Sequence, residues 1–338
     1  MRLPTRLSWE STSLSGVDTL SMVKAPTPAL APDEVLVGVR AIGLNYADIF
    51  CCLGLYAAAN AVLHERGGGA FCPGLEFAGE VLAVGNETRQ YSTGDRVYGF
   101  SRFGAYRTAV ACREPYVRKI PDDWSFSEAA ALLVQGLTAW HGLVELGAAR
   151  AGSRVLVHSA AGGVGCAALE ICQHLGCDVV GVIGSEAKQP FLAERFPNVT
   201  PLVRGPARGF AAQLAEHEQF DVVLESLGGE YLSASLDHVA PMGRLVTFGA
   251  TAAYGGARDG VRKWLSLVPN HLRRPKIDPG TLVSANRAVM GFNLIWCHLG
   301  DGVVGRGCGE GLWGGVLRGV CRKGSWEGCV GRARGRGL

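Results

Sequence analysis

Hydrophobic positions along the chain change period twice. From Glu34 to about Lys119 they alternate with polar or small residues. EVLVGVRAIGL, EFAGEVLAVG and GDRVYGF each read as a strand with one covered face, separated by Gly-Asn and Thr-Gly-Asp turns. This stretch predicts a β-rich, partly barrel-like domain. The pattern changes at PDDWSFSEAAALLVQGLTAWHGLVEL, where Pro121 to Trp124 stop the last strand. Ser125 or Ser127 is placed to cap a helix that carries Glu128 in its first turn. Beyond it, apolar runs alternate with helical ones. RVLVHSA, DVVGVIG, FDVVLESLG, GRLVTFGA and AVMGFNLIW are strands, and VGCAALEICQHLG, FAAQLAEHE and YLSASLDHVA separate them. Near-continuous apolar strands between helices imply a parallel sheet covered on both faces. From Cys297 onward neither period survives. That segment is rich in glycine and basic residues and has no proline, so it is costly to order and is assigned no structure.

The length of 338 residues allows two domains with separate cores. With 48% hydrophobic and 19% charged residues, the chain reads as globular rather than disordered. A net charge of +3 gives no reason to expect nucleic acid or an anionic membrane as partner. No apolar run reaches the ~18–20 residues that span a bilayer. The first sixteen residues, MRLPTRLSWESTSLSG, lack the apolar core of a secretory leader. Cytoplasm is therefore the expectation, with an organelle address the weaker alternative. Eleven cysteines include no C-x-x-C pair, and Cys166, Cys172 and Cys177 lie in or beside an apolar helical stretch. Reduced, buried thiols follow.

The stretch RVLVHSAAGGVG carries the chemistry. A strand, a small-residue turn and a helix whose free N–H groups face the turn form an anion site at the carboxyl edge of a parallel sheet. Ser159, Ala160, Gly162, Gly163 and Val164 are the residues expected to hold a dinucleotide pyrophosphate. The following strand ends at Ile183 and Gly184 with no carboxylate for a ribose 2′-hydroxyl, and Ser185 and Lys188 are placed to bind a 2′-phosphate instead. NADPH is therefore the expected coenzyme. Glu186 keeps NADH as the alternative, and in isolation Lys188 reads as a solvated lysine at a helix start.

GLNYADI, PGLEFAGEV, TGDRVYGF, IPDDWSFSEAAAL, LTAWHGL and VLVHSAAGGVG occur in an order that resembles the medium-chain dehydrogenases/reductases. Within them the chain most resembles the zinc-independent quinone oxidoreductase branch, which includes the vesicle amine transport protein homologues. The likeness runs from about Leu20 to Trp296. It implies an α/β protein in which a GroES-like β-rich catalytic domain (1–127) is joined to a Rossmann doubly wound parallel-sheet domain (128–296), with the active site in the cleft between them. The positions where zinc-dependent relatives carry cysteine and histidine ligands fall on Asn45 and Leu75, neither a plausible zinc ligand. Cys112 is the one cysteine between Gly85 and Arg118, so no structural zinc loop is expected. His64, His141 and His158 read as packing or surface histidines, and no metal is expected.

By the same resemblance, Asn45 lies near the nicotinamide ribose and Thr138 near its carboxamide, while Gly249 and Phe292 edge the nicotinamide. Tyr56 either donates a proton to the product oxygen or packs the cleft wall. Asp48 is read as structural. The implied reaction is hydride transfer from NADPH to a quinone or α,β-unsaturated carbonyl. The alternatives are an alkenal or enoyl-thioester reductase on the same fold, and an NADPH-binding partner protein without turnover. Gln135-Gly136 stands where relatives often have Asn-Tyr, and the loop after Tyr56 is longer and richer in glycine. Residues 297–338 replace the family's closing catalytic-domain segment, and their four cysteines fit no zinc module. A homodimer formed edge to edge around GRLVTFGA is the family expectation.

Overall fold

The computed structural model describes residues 5–65, 67–251 and 275–297. Apart from Cys297, the glycine-rich tail lies outside the described residues. The chain divides into two compact units, which among the described residues run to Val134 and from Gln135 to Cys297.

The first unit opens with β1 (Thr5–Glu10) and β2 (Ser21–Pro26), paired antiparallel from Thr5 opposite Pro26 to Glu10 opposite Ser21. β3 (Glu34–Ile42), β4 (Glu76–Val84), β5 (Arg96–Phe100), β6 (Ala109–Arg113) and β7 (Val117–Lys119) form an antiparallel sheet in the order β6-β3-β4-β5-β7. Irregularities between Leu36 and Val37 and between Val39 and Ala41 interrupt the β3–β4 register, as bulges do where a sheet curves. The inward positions Val35, Val37, Phe77, Val81, Val97, Val110, Cys112 and Val117 make the core. Two helices break the expected run of strands: α1 (Tyr46–Cys52) and α2 (Ala57–Glu65). The glycine-rich loop expected after Tyr56 is therefore largely α2, with Ala58, Ala59 and Val62 buried. Its glycines, Gly67, Gly68 and Gly69, follow at positive φ where the chain leaves the helix. Of the two serines the sequence offers as caps, Ser125 rather than Ser127 starts α3 (Phe126–Ala130). The Ser125 hydroxyl accepts from Glu128 N–H at 3.2 Å, and the Glu128 carboxylate accepts from Ser125 N–H at 2.7 Å.

α4 (Leu133–Trp140) runs into a π-helical segment, His141–Leu146. Among the described residues the second unit then alternates strands with α-helices: β8 (Arg154–Val157), α5 (Gly163–Leu175), β9 (Asp178–Ile183), α6 (Gln189–Arg195), β10 (Thr200–Val203), α7 (Ala207–Leu214), β11 (Phe220–Glu225), α8 (Gly229–Asp237), β12 (Val239–Thr247), α9 (Pro279–Ala285), β13 (Ala288–Gly291) and α10 (Leu294–Cys297). The strands form one parallel sheet in the order β10-β9-β8-β11-β12-β13. That order reverses direction between β8 and β11, the point at which doubly wound sheets bind ligands. Two expectations need correction. The strand read through AVMGFNLIW stops at Gly291, and its last three residues, Leu294 to Trp296, are helical. GRLVTFGA cannot pair two copies edge to edge, because β12 is hydrogen-bonded to β11 on one side and β13 on the other. The free edge beyond it, among the described residues, belongs to β13.

Among the described residues no single helix is long and apolar enough to cross a membrane. Phe77 is fully buried in β4, with its ring against Gly99, where a Cβ would stand 2.7 Å from the ring. Phe77→Ala is expected to cost about 3–5 kcal/mol, read as a lowered urea midpoint with an unchanged slope.

Candidate active site

β8 ends at Val157, and a close turn follows it. Ser159 sits at φ 53°, a left-handed conformation uncommon outside glycine. Gly162 caps α5, and its N–H donates to Ser159 O at 2.7 Å. A Cβ on Gly165 would stand 2.3 Å from Ser159 O and 2.6 Å from Ala160 O, so any side chain there would push the turn apart. A Cβ on Gly163 would meet the Gln135 side chain at 2.4 Å. Gln135, a departure from the family pattern, therefore lies directly against the turn. Beside Gly162 the nearest atom is Ser159 O at 3.1 Å, and otherwise the space is open. The N-terminal N–H groups of α5 face that space, and the cradle fits a pyrophosphate. Ala160 is buried and anchored by its N–H to Val182 O at 2.9 Å.

Neighbouring strand ends converge on the same edge. The Ser159 and Ser226 hydroxyls are 3.0 Å apart. Glu225, the last residue of β11, is fully buried. Its Oε1 accepts the N–H groups of Leu227 and Gly228, each at 2.6 Å, and its Oε2 accepts the Thr247 hydroxyl at 2.9 Å. Burial pushes this carboxyl above the ordinary range, partly offset by those donors. Gly249 follows Thr247, and a Cβ there would stand 3.2 Å from Ser226 O. Phe292 donates its N–H to Thr247 O and packs edge-to-face on His141, ring centres 4.8 Å apart. Thr138 is buried in α4. His158 is buried, and its Nε2 is 3.0 Å from the Ser235 hydroxyl. Burial lowers its pKa to about 3, so the ring is neutral and its 3.8 Å approach to Glu225 is not an ion pair.

The end of β9, where the sequence places Ser185 and Lys188 as candidates for a 2′-phosphate, also holds a residue that the sequence reading did not include. Ser185 precedes and Lys188 ends a short 3₁₀ turn after Gly184. The Arg204 guanidinium reaches the same place from the end of β10, and a Cβ on Gly184 would stand 3.4 Å from it. Arg204 is held by its N–H to Ile183 O at 2.9 Å and by stacking 5.2 Å above the Tyr231 ring. The signal was present in PLVRG: β10 runs parallel beside β9, so the residue after each strand ends at the same edge.

In the first unit, Asn45 is placed by two buried carboxylates. Its N–H donates to Asp48 Oδ2 at 2.8 Å at the start of α1, and its side-chain Nδ2 donates to Glu76 Oε1 at 2.9 Å. Asp48 also accepts from the Tyr106 hydroxyl at 3.1 Å and from Gly74 N–H at 3.2 Å. Glu76, the first residue of β4, is wholly buried and accepts Val134 N–H on Oε2 at 2.9 Å. A carboxylate thus caps the start of α4. Gly43 leaves it room, since a Cβ there would fall 2.2 Å from Glu76 Oε1 and 2.4 Å from Ala130 O. Glu76 also escaped the sequence reading, although an acid opening an apolar strand is itself unusual. Leu75 beside it is buried and apolar, and no cluster of three or more metal-ligating side chains occurs among the described residues. Tyr56 precedes α2 and packs edge-to-face against Phe103 at 6.2 Å.

Burial raises the Glu76 pKa from 4.5 to about 7 and that of Asp48 from 3.8 to about 6, partly offset by their donors. Both groups hold protons more tightly folded than unfolded. Their stabilisation is complete below the unfolded values and is lost as pH rises through the folded ones. Glu76→Gln should therefore remove part of the stability decline between about pH 4.5 and 7, up to about 3 kcal/mol. The check is the difference in urea midpoint between wild type and variant across that range.

Two protein families match this chain in order: the alcohol dehydrogenase GroES-like domain over residues 31–122 and the zinc-binding dehydrogenase over residues 163–292. The human synaptic vesicle membrane protein VAT-1 homolog is 31% identical over 303 residues, covering 87% of this chain and 74% of that protein. The spectinabilin polyketide synthase system protein NorB of Streptomyces orinoci is 38% identical over 268 residues. That match covers 77% of this chain but only 12% of NorB. Among solved structures, the quinone oxidoreductase of Pseudomonas syringae superposes with a TM-score of 0.75 at 25% identity, over 97% of this chain and 95% of that one. The CurK enoyl reductase gives 0.73 at 28% identity, over 94% and 89%. Mycobacterial Rv1454c complexed with NADPH gives 0.74 at 27%, over 94% and 90%. Two matched domains in sequence, a relative aligned over most of both lengths and a Rossmann strand order identify this chain as a member of the zinc-independent quinone oxidoreductase branch of the medium-chain dehydrogenases/reductases.

Proposed function

We propose that this chain is an NADPH-dependent, zinc-independent reductase that passes hydride to a quinone or an α,β-unsaturated carbonyl. The observation that carries the coenzyme assignment is the Arg204 guanidinium at Gly184, beside Ser185 and Lys188. Two cations and a hydroxyl suit a 2′-phosphate, and guanidinium binds phosphate through paired N–H donors. The likeness to a structure solved with NADPH supports the same reading. When bound, the dihydronicotinamide supplies the hydride.

The protein's part is orientation and proton delivery. Ser159, Ala160, Gly162, Gly163 and Val164 hold the pyrophosphate, and Gly249 and Phe292 border the ring. The Asn45 amide, with Nδ2 committed to Glu76, offers its oxygen to the nicotinamide ribose, and Thr138 serves the carboxamide. Tyr56 donates a proton to the oxygen that becomes negative as the acceptor takes hydride. A phenol is protonated at neutral pH. With Asn45 and Leu75 where zinc ligands would stand, the chemistry suits an acceptor that is already electrophilic. A second reading, enoyl-thioester reduction, is favoured by the likeness to the CurK enoyl reductase and to NorB.

Tryptophan quenching with each coenzyme tests the assignment. NADPH should bind more tightly than NADH. Arg204→Leu and Lys188→Ala should each weaken NADPH binding by about tenfold while changing NADH binding less than about threefold. Equal or tighter NADH binding by the wild type would overturn it. Comparing kcat/KM on a naphthoquinone, an enone and a crotonyl thioester separates the two acceptor readings.

A further inference from the structure

α5 begins at the glycine turn, and its other end carries a feature that coenzyme binding does not use. Gly176 is left-handed at φ 74°. The Cys177 N–H donates to Cys172 O at 2.9 Å, and the Gly176 N–H donates to Gln173 O at 3.3 Å. This pair of bonds closes the helix in a way that brings the side chains at the two ends of the closure into contact, ordinarily as an apolar pair. Here both positions are cysteine. Cys172 is fully buried and Cys177 partly exposed. The closure places the Cys172 and Cys177 thiols to hydrogen-bond to each other, and the Cys177 thiol also donates to Arg150 O at 3.4 Å.

The two sulfurs are unequal. The bond from Cys172 holds Cys177 below the usual thiol range against the opposing effects of burial and Asp221. The same bond, with burial, pushes Cys172 up. Burial raises Cys51, Cys52, Cys72 and Cys112 as well. Cys177 also opens on a cavity of about 240 Å³ lined by Leu169, Gln173, Val179, Phe196 and Asn198. That is ample room for a small oxidant to reach the sulfur.

We propose that Cys172 and Cys177 are a reversible thiol–disulfide pair in which Cys177 reacts first with a hydroperoxide and Cys172 resolves it. The Cys177 thiolate attacks the terminal oxygen of the hydroperoxide, the O–O bond breaks, and the alkoxide or hydroxide leaves and takes a proton. Cys177 is then a sulfenic acid. The Cys172 thiol gives up its proton and attacks the Cys177 sulfur. The S–S bond forms as the S–O bond breaks, and the hydroxyl leaves with that proton as water. Two thiols lose two electrons in all, and the hydroperoxide becomes an alcohol, or water, plus one further water.

The test uses the full chain treated with hydrogen peroxide, alkylated, and cleaved after Glu170 and Glu186. Peptide 171–186 then contains these two cysteines and no others. The expected result is a loss of two hydrogen masses from that peptide, reversed by dithiothreitol, at least about tenfold faster than oxidation of Cys112. Cys172→Ser should leave Cys177 as a sulfenic acid that dimedone traps, and Cys177→Ser should leave Cys172 unmodified. Circular dichroism melting confirms that both variants fold. A peptide that stays reduced under excess peroxide, or Cys177 found paired with any other cysteine, overturns the proposal.

Discussion

Burying a carboxylate costs several kcal/mol unless donors meet its oxygens, and Glu76 is buried in full with Asn45 Nδ2 on one oxygen and α4 backbone N–H on the other. Those donors come from different parts of the first unit. One is the side chain that starts α1, and the other is the backbone that starts α4. The strand carrying Glu76 is therefore tied to both helices by one charge-bearing group, and Gly43 is small because that group stands where its side chain would be. The orientation of Asn45 follows: Nδ2 is committed to Glu76, and the side chain also faces the Asp48 N–H in a capping box at the start of α1. Asp48 repeats the arrangement one turn along, accepting from Asn45, Gly74 and Tyr106.

The second unit solves a related problem with backbone instead of charge. Parallel strands end together at one edge, and the loops leaving them must turn sharply without side chains in the way. Gly163 and Gly165 meet this need at β8, and Glu225 meets it at β11 by gathering the N–H groups of Leu227 and Gly228. Thr247, reaching the other oxygen of Glu225, links the β11 and β12 ends, so the edge that borders the proposed nicotinamide site is braced from beneath.

Much of this was legible in the sequence, for identifiable reasons. The alternation of βα units, the glycine turn and the Ser125 cap are local patterns that hydrogen bonding and periodicity enforce within a few residues. α1 and α2 were not legible, because short helices among alternating strands carry too few turns to establish a period of their own. AAANAVLHE is followed closely by glycines, and that composition reads as loop. Arg204 and Glu76 were missed for another reason. Each acts on residues far away in sequence, Arg204 on Gly184 across adjacent strands and Glu76 on Asn45 across the β3–β4 pairing. Only the sheet order brings such partners together.

The sheet order also sets how the second unit behaves toward other strands. Its outer strands among the described residues, β10 and β13, are four residues each. β10 contains Pro201, which has no N–H to offer a newcomer. The long, strongly apolar strands that would template runaway pairing, β9, β11 and β12, all lie inside. An open sheet of this kind risks growing by adding strands from other molecules, and among the described residues this one presents short borders, one of them missing a donor. The arrangement that gathers the strand ends into a ligand-binding edge thus also limits lateral growth.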